Sequence, residues 1–142
     1  MKKLGLFFLV LFSTNFYAQN FGIVGKWNTI DEVSCKAVSV VEIFEHNNKI
    51  YGRIIELLNP KNRNKTCTSC PGDDQNKPIL GLTIIKGLEK DGSEYNNGRI
   101  LDPKSGKLYK CYIELESADK LKVRGYLGIS LIGRTQYWER IK

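Results

Sequence analysis

From residue 23 onward, short apolar-rich runs alternate with turn residues, and no helical period persists along the chain. In the run that begins at residue 107, for example, Tyr109, Cys111 and Ile113 recur at every second position and so share one face of an extended strand. The runs that predict strands are residues 23–30, 36–44, 50–58, 79–88, 99–101, 107–116, 121–127 and 131–141. Runs this short and this evenly spaced are typical of an antiparallel sandwich or barrel.

Turn residues separate these runs and define the predicted hairpins. The pair Asp91-Gly92 is a strong hairpin signal, and Asp102-Pro103 ends another run. The longest irregular stretch, residues 59–78, carries three prolines. Because closure removes the exposed edges of an open eight-stranded sheet, we predict an all-β fold: a single antiparallel up-and-down barrel of about eight strands.

The N-terminus has the pattern of a secretory signal peptide. Lys2 and Lys3 precede an apolar run, and Ala18 offers a cleavage site. The run is much shorter than the ~20 residues that span a bilayer, so we expect no transmembrane anchor in the mature chain. We predict that residues 1–19 are a signal peptide, that residues 20–142 form one domain, and that this domain is periplasmic or secreted. The alternative is a buried N-terminal strand.

Length and composition agree with one globular domain. The chain has 142 residues, close to the ~150 residues that serve as a prior for one domain. Hydrophobic residues make up 42% and charged residues 26%, which excludes a disordered tail and a protein with many membrane spans. Removal of the signal peptide would lower the net charge from +7 to +5, since two lysines are lost. The basic residues form no stripe with stacking aromatics, so we expect no nucleic-acid partner.

Tryptophans stand at both ends of the strand series. Gly25-Lys26-Trp27 opens the first predicted strand, and Trp138 and Arg140 lie in the last. This arrangement resembles lipocalins and related calycins, in which a Gly-x-Trp packs its indole at the closed barrel end under a basic side chain from a late strand. The resemblance implies barrel-closing roles for these residues, because a guanidinium can stack on an indole face and cap backbone carbonyls. Arg140 is the first choice for the stacking arginine and Arg134 the second; the alternative is a core tryptophan without a special partner.

A second resemblance covers almost the whole mature chain. It rests on these segments in this order: Gly25-Lys26-Trp27, Tyr51-Gly52-Arg53-Ile54, Cys67-Thr68-Ser69-Cys70, Pro78-Ile79-Leu80-Gly81, Gly98-Arg99-Ile100-Leu101-Asp102-Pro103, Gly106-Lys107-Leu108-Tyr109, Val123-Arg124-Gly125-Tyr126 and Gly133-Arg134-Thr135-Gln136-Tyr137-Trp138. Together they resemble the bacterial DUF2147 family, exported proteins of unknown biochemical role. The resemblance implies export and a lipocalin-like barrel but no established reaction. Cys35 departs from the pattern, since a glycine is more usual there.

Four cysteines follow the signal peptide. Cys67 and Cys70 are close enough to pair, and we expect a local structural disulfide between them. A redox motif would need a helix behind the pair, and a zinc site would need two more ligands at a compatible spacing; both are less favoured alternatives. We expect Cys111 to be a small core residue. Cys35 is either a free thiol or the partner of Cys111 or of a loop cysteine.

Catalytic machinery is not visible in the sequence. The one histidine, His46, falls in a predicted hairpin turn, and the chain has neither a Gly-x-Ser-x-Gly elbow nor a glycine-rich phosphate loop. We therefore expect a protein that is not an enzyme and that uses no metal or cofactor.

Arginines and tyrosines inside the predicted strands are the best candidates for a binding site. The predicted ligand-binding residues are Tyr51, Arg53, Tyr109, Arg124, Tyr126, Arg134 and Gln136. If they face the lumen, they suit a small apolar or amphiphilic ligand with an anionic head; if they face outward, they are solvated and pair with acids such as Glu42. The first hypothesis is therefore a calycin-like binding protein. The second is a filled barrel that contacts an envelope protein through its Cys67–Cys70 loop, and the third is a thiol or metal function of that loop.

Overall fold

The structure is a computed structural model that describes residues 22–142, so the predicted signal peptide lies outside the described residues. Its strands are β1 (Gly25–Ile30), β2 (Ala37–His46), β3 (Lys49–Leu57), β4 (Thr83–Asp91), β5 (Glu94–Asp102), β6 (Lys107–Ser117), β7 (Lys120–Tyr126) and β8 (Gly133–Arg140). Each strand pairs antiparallel with the next, and β8 returns to β1. The predicted all-β, eight-stranded up-and-down barrel is confirmed.

The seam that closes the barrel is short. Trp27 lies opposite Arg140 and Asn28 lies opposite Glu139, whereas β2 and β3 are paired over eight positions. The backbone N–H of Ile141 extends the seam by donating to the carbonyl of Lys26 at 3.0 Å. In residues 22–142, no helix has the length and apolar character needed to cross a bilayer.

Apolar side chains fill the lumen at the end where β1 begins and β8 finishes. Residues directly opposite each other on antiparallel strands point to the same side of the sheet, so the pairing identifies the inner face. Inward side chains with at most 2% exposure are Trp27, Val41, Ile43, Ile85, Leu88, Cys111, Ile113, Leu121, Val123 and Trp138. A side chain with so little exposed surface borders no void wide enough for water, so this half of the lumen is closed.

The long connection between β3 and β4, residues 58–82, packs against the outside of the barrel. It contains two short 3₁₀ turns, Pro60–Asn62 and Gly72–Asp74. Asp74 in the second turn forms an ion pair with Lys86 on the outer face of β4. Under this connection Leu101 is 1% exposed although it faces away from the lumen. The connection thus extends the hydrophobic core to the outer side of the sheet.

Two strands differ from the sequence prediction at their ends. Residues 79–82 belong to the β3–β4 connection and β4 begins at Thr83, because Gly81 adopts a left-handed φ of 91° that breaks the strand. β5 begins at Glu94 rather than at residue 99, so its first half is polar. Asn96 and Asn97 continue the strand because their side chains donate to carboxylates of the β4–β5 hairpin and Asn97 forms a bulge with φ of 61°.

Candidate functional site

Arg140 seals one end of the barrel by lying over the indole of Trp27. The guanidinium carbon is 4.3 Å from the ring centroid. Its Nε donates to the carbonyl of Ala118 at 2.7 Å, Nη1 to Val24 at 3.3 Å and Nη2 to Gly22 at 2.6 Å. These bonds join β8 to the N-terminal segment and to the β6–β7 turn. The stacking partner of Trp27 is thus the first of the two arginines considered from sequence.

Gly25 and Trp138 complete this closed end. Gly25 has φ of 141°, and a Cβ atom there would lie 3.1 Å from Nη1 of Arg140, so a larger residue would press on the guanidinium. The indole of Trp138 is 1% exposed, and its Nε1 donates to Oε1 of Gln136 at 3.3 Å. Nε1 of Trp27 likewise donates to the carbonyl of Ile23 at 2.9 Å. Because these hydrogen bonds offset the cost of removing each indole N–H from water, both tryptophans fit a sealed floor.

The other end of the barrel is open. Tight two-residue turns join the strands at the closed end, whereas longer connections lie at the open end: residues 31–36, 58–82, 103–106 and 127–132. Binding residues in barrels of this kind lie inside the lumen at the open end or on the loops that surround it.

Three of the seven predicted ligand-binding residues face the lumen near the open end. Arg134 lies opposite Gly125 and Gln136 lies opposite Val123, while Tyr109 lies opposite Ile100 and shares a face with buried core residues of β6. Tyr109 and Gln136 are half-buried and Arg134 is exposed. The structure therefore brings Tyr109, Arg134 and Gln136 together on the inner face of the barrel near its open end.

Tyr51 and Arg53 lie on the outer face of β3. The Nε and Nη2 atoms of Arg53 donate to Oε1 of Glu42 at 3.1 and 2.7 Å, and its guanidinium lies 5.2 Å from the ring centroid of Phe44. Tyr51 stacks on the same ring with centroids 5.8 Å apart. Because neighbouring Gly52 faces inward against Ile85, these two side chains point away from the lumen.

Arg124 and Tyr126 lie on the outer face of β7. Nε of Arg124 donates to the carbonyl of Ser130 at 2.8 Å, and Nη1 donates to Oγ1 of Thr135 at 2.7 Å. The ring of Tyr126 lies 6.3 Å from that of Tyr112, also outside. The expectation of one pocket lined by all seven residues is therefore corrected, because alternate strand positions place four of them outside.

We call the inner surface formed by Tyr109, Gly125, Arg134 and Gln136 the mouth. Gly125 was not among the residues predicted from sequence. A Cβ atom there would lie 3.2 Å from Cγ2 of Ile100 and 3.5 Å from Cβ of Tyr109, so the glycine lets these two side chains pack closely against the backbone of β7. A glycine inside a strand pattern is a known sign of a close approach by a ligand or by another backbone, and that signal could have identified Gly125.

Arg134 already holds a carboxylate at the edge of the mouth. Its Nε lies 3.0 Å from both carboxylate oxygens of Glu32, and Nη2 donates to Oε2 at 2.7 Å. Glu32 belongs to the β1–β2 connection, and hydrogen bonding to it raises the pKa of Arg134. The two residues are 102 positions apart, so no local sequence signal could have paired them.

The neighbouring part of the lumen wall, formed by β1 and β2, also carries a polar pair near the open end. The hydroxyls of Thr29 on β1 and Ser39 on β2 lie 2.6 Å apart, and each residue is 8% exposed. Their hydrogen bond satisfies two buried hydroxyls beside the apolar core. The lumen therefore changes from apolar at the closed end to polar at the open end.

The cysteines fall into three environments. Cys67 and Cys70, both in the β3–β4 connection, form a disulfide with a Cα–Cα distance of 5.4 Å, and both are buried. Cys111 is a buried free thiol in the lumen, where burial raises its pKa to about 12. Cys35 is an exposed free thiol with φ of 56° in the β1–β2 connection. Among residues 22–142, no group of three or more His, Cys, Asp or Glu side chains is positioned to hold a metal ion.

Two surface grooves lie away from the mouth. One, of about 570 Å³, follows the outside of the β8–β1 seam beside Lys120, Tyr137 and Glu139. The other, of about 270 Å³, lies at the closed end beside Ile23 and Tyr95. Neither is lined by a residue of the mouth, so neither enlarges that candidate site.

The barrel with one sealed and one open end is a lipocalin-like fold. A solved structure supports this fold: protein HP1028 from the human pathogen Helicobacter pylori, which is described as belonging to the lipocalin family, is similar over 85% of this chain and 84% of its own. The TM-score is 0.74 and the sequence identity is 24%, so the likeness concerns the fold. No curated protein matches the sequence significantly.

The family follows from the sequence model that matches residues 25–140. It is described as "Uncharacterized protein conserved in bacteria (DUF2147)". The chain belongs to this family. The resemblance found in the ordered motifs is therefore confirmed, and the match spans every strand from β1 to β8.

Proposed function

We propose that the protein is a non-enzymatic binding protein that holds the anionic head of a small apolar or amphiphilic molecule in the mouth. The observation that carries this proposal is the contact between Arg134 and Glu32. Both nitrogens at the fork of the guanidinium face a carboxylate, and the geometry is the bidentate one that suits carboxylates and phosphates. A ligand head would take the place of the Glu32 carboxylate.

Displacement of Glu32 has a low energetic cost. The Arg134 side chain is 72% exposed, and exposed ion pairs contribute only about 0–1 kcal/mol. A ligand with an anionic head regains that energy and adds apolar contact with the half-buried side chains of Ile100 and Tyr109. Polar atoms of Gln136 and of the tyrosine are further partners for the head.

The filled half of the lumen limits how far a ligand can enter. Ile43, Ile113 and Leu121 have no exposed surface, so an alkyl tail cannot reach the closed end without moving them. We therefore expect a ligand that is small, or one whose tail lies across the open end rather than along the barrel axis.

The cellular location and the absence of catalysis belong to the same proposal. The signal-peptide pattern of residues 1–19 supports a periplasmic or secreted protein. Mass spectrometry of the mature protein recovered from the periplasm tests the predicted location directly, with cleavage near Ala18 as the expected result. Recovery of the uncleaved chain in the cytoplasm would contradict it.

A titration with a fluorescent fatty acid tests the binding site. We expect 11-dansylundecanoate to bind the mature protein, and we expect the Arg134→Gln variant to bind about tenfold more weakly, since a charge-assisted hydrogen bond contributes roughly 1.5–3 kcal/mol. Arg53→Gln is the matched control, because it also removes a strand arginine that holds a glutamate, but on the outer face.

The outcome separates the two leading hypotheses. Weaker binding in the Arg134 variant alone supports the mouth as the site. Absence of binding, or equal loss in both variants, would overturn the proposal and favour a filled barrel that serves as an interaction module of the envelope.

A further inference from the structure

Exposed apolar side chains are concentrated at the open end of the barrel. In residues 22–142, eight of the eleven exposed large hydrophobic residues belong to the open-end connections or to the strand ends beside them. We call five of them, on two neighbouring connections, the apolar rim: Val33, Leu127, Ile129, Leu131 and Ile132. Val33 is 92% exposed and Leu131 is 85% exposed, so they are almost fully in water.

The rim is presented by ordered loops. In the β7–β8 connection, the backbone N–H of Leu127 donates to the carbonyl of Ile132 at 3.0 Å, and the N–H of Ile132 donates to Ile129 at 3.1 Å. The side chain of Arg124 holds the carbonyl of Ser130 from outside. These bonds close the loop on itself, so its apolar side chains project outward instead of folding over the barrel.

The two parts of the rim lie side by side. Glu32 precedes Val33, and its carboxylate binds Arg134, which follows the β7–β8 connection by one residue of β8. This ion pair joins the tip of the β1–β2 connection to the base of the other loop. The apolar side chains therefore belong to one end face and are not scattered singly over the surface.

The end face is basic as well as apolar. Residues 31–36, 102–110 and 124–134 carry more basic than acidic side chains. The basic ones are Lys36, Lys104, Lys107, Lys110, Arg124 and Arg134, and the acidic ones are Asp31, Glu32 and Asp102. Among the residues that the structure describes, Lys36, Lys104 and Lys107 have no carboxylate within ion-pair distance.

We infer that the open end docks on the surface of an anionic lipid bilayer. Apolar side chains on protruding loops enter the boundary between headgroups and acyl chains, while lysines around them contact anionic headgroups. This combination distinguishes a bilayer from a second copy of the chain, since two such faces would bring like charges together. Docking here would also place the mouth at the bilayer surface, but it does not depend on any ligand being held there.

Vesicle co-sedimentation of the mature protein tests the inference. We expect binding to vesicles of phosphatidylethanolamine with phosphatidylglycerol, and much weaker binding to vesicles of phosphatidylcholine alone. The double variant Ile129→Ser with Leu131→Ser should bind the anionic vesicles at least about tenfold more weakly, because two exposed side chains can no longer enter the bilayer. Val24→Ser is the control, since Val24 is also an exposed aliphatic residue but lies at the closed end.

A charge-reversal variant tests the electrostatic contribution to vesicle binding. Lys104→Glu with Lys107→Glu should weaken binding to anionic vesicles several-fold, whereas Lys90→Glu at the closed end should not. Circular dichroism of each variant shows whether the barrel is intact, and both serine substitutions lie in an exposed loop.

Three results would overturn the inference: no binding of the wild-type protein to anionic vesicles, equal loss in the Val24 variant, or a dimer in solution that the Ile129 and Leu131 substitutions dissociate. The last would make the rim an interface between copies. Failure of vesicle binding leaves the fatty-acid titration unaffected, so the two proposals can fail separately.

Discussion

The side chain of Arg140 connects several parts of the barrel, because it contacts the indole of Trp27 and three carbonyls from two other parts of the chain. Those carbonyls belong to the N-terminal segment and to the β6–β7 turn, which no strand ladder connects. The sequence indicated this contact because a glycine, a tryptophan and an arginine stood at the two ends of the strand series. Their partners on the backbone were not visible in it.

Replacing Arg140 by lysine tests this role. We expect Arg140→Lys to lower the free energy of unfolding by about 2–3 kcal/mol, because a lysine cannot stack its charge on the ring and serve three carbonyls together. Urea unfolding followed by tryptophan emission measures the change. The control Arg53→Lys alters an exposed ion pair and should cost less than about 1 kcal/mol. Equal losses in the two variants would show that Arg140 has no special role.

The two free thiols should differ strongly in reactivity. Burial raises the pKa of Cys111 to about 12, above its ordinary value of 9.0, whereas Cys35 is exposed. At pH 8 we expect a chromogenic disulfide reagent to modify one thiol per chain quickly and the second only on unfolding. The Cys35→Ser variant should lose the fast phase. Two fast thiols in the wild-type protein would contradict the buried position of Cys111.

From the raised pKa of Cys111 we also predict a loss of stability in alkali. The folded pKa lies above the unfolded one, so the unfolded chain releases the proton first as the pH rises. The neutral thiol therefore makes its full contribution to the free energy of unfolding below pH 9, and this contribution is lost between about pH 9 and 12. Cys111→Ala should remove this part of the pH dependence.

At the scale of elements, the β3–β4 connection behaves as an added layer rather than as a loose loop. The Cys67–Cys70 disulfide is buried, the Sγ atom of Cys67 lies 3.4 Å from the carbonyl of Pro103, and Asp74 binds Lys86 and Lys77. The second hypothesis assigned this connection to partner binding. Its cysteines are buried against the barrel, and partner binding by the exposed part of the connection stays a prediction.

Asp74 should hold this layer in place in a pH-dependent way. Hydrogen bonding to Lys86 lowers its pKa below the ordinary 3.8, so its contribution is present above that pH and is lost as the pH falls further. We expect Asp74→Asn to destabilise the protein by about 1–2 kcal/mol at pH 7. In urea unfolding, the difference in unfolding free energy between variant and wild type should disappear below about pH 4. The control is Asp73→Asn at the exposed neighbouring aspartate, and it should leave the unfolding free energy unchanged. A difference that persists in acid would contradict the ion-pair explanation.

Strand existence was predictable and strand faces were not. Alternation in β6 showed that Tyr109, Cys111 and Ile113 share a side, and the barrel confirms this. Alternation does not show which side of a strand faces the lumen, so the sequence could not distinguish the outward Arg53 from the inward Arg134. The inner face is set by how all eight strands close into the barrel, which the sequence does not show: Arg53 meets Glu42 on the outside of the preceding strand, whereas Arg134 meets Glu32 at the edge of the mouth.

At the scale of the whole molecule, the two ends of the barrel have opposite character. The closed end is sealed by two tryptophans and a guanidinium, and the lumen above it is filled with aliphatic side chains. The open end is polar inside, and its surrounding loops are apolar and basic outside. The filled half of the lumen leaves no room for a long ligand along the barrel axis, so the proposed ligand recognition is assigned to the open end.

Chemical-shift mapping with dodecanoate below its micelle concentration tests this claim most directly. We expect the amide signals of Tyr109, Gly125, Arg134 and Gln136 to shift in a saturable way, while the signal of Arg53 on the outer face stays unchanged. Saturating dodecanoate that shifts no signal in the mouth, or that shifts signals mainly on the outer face, would contradict the account.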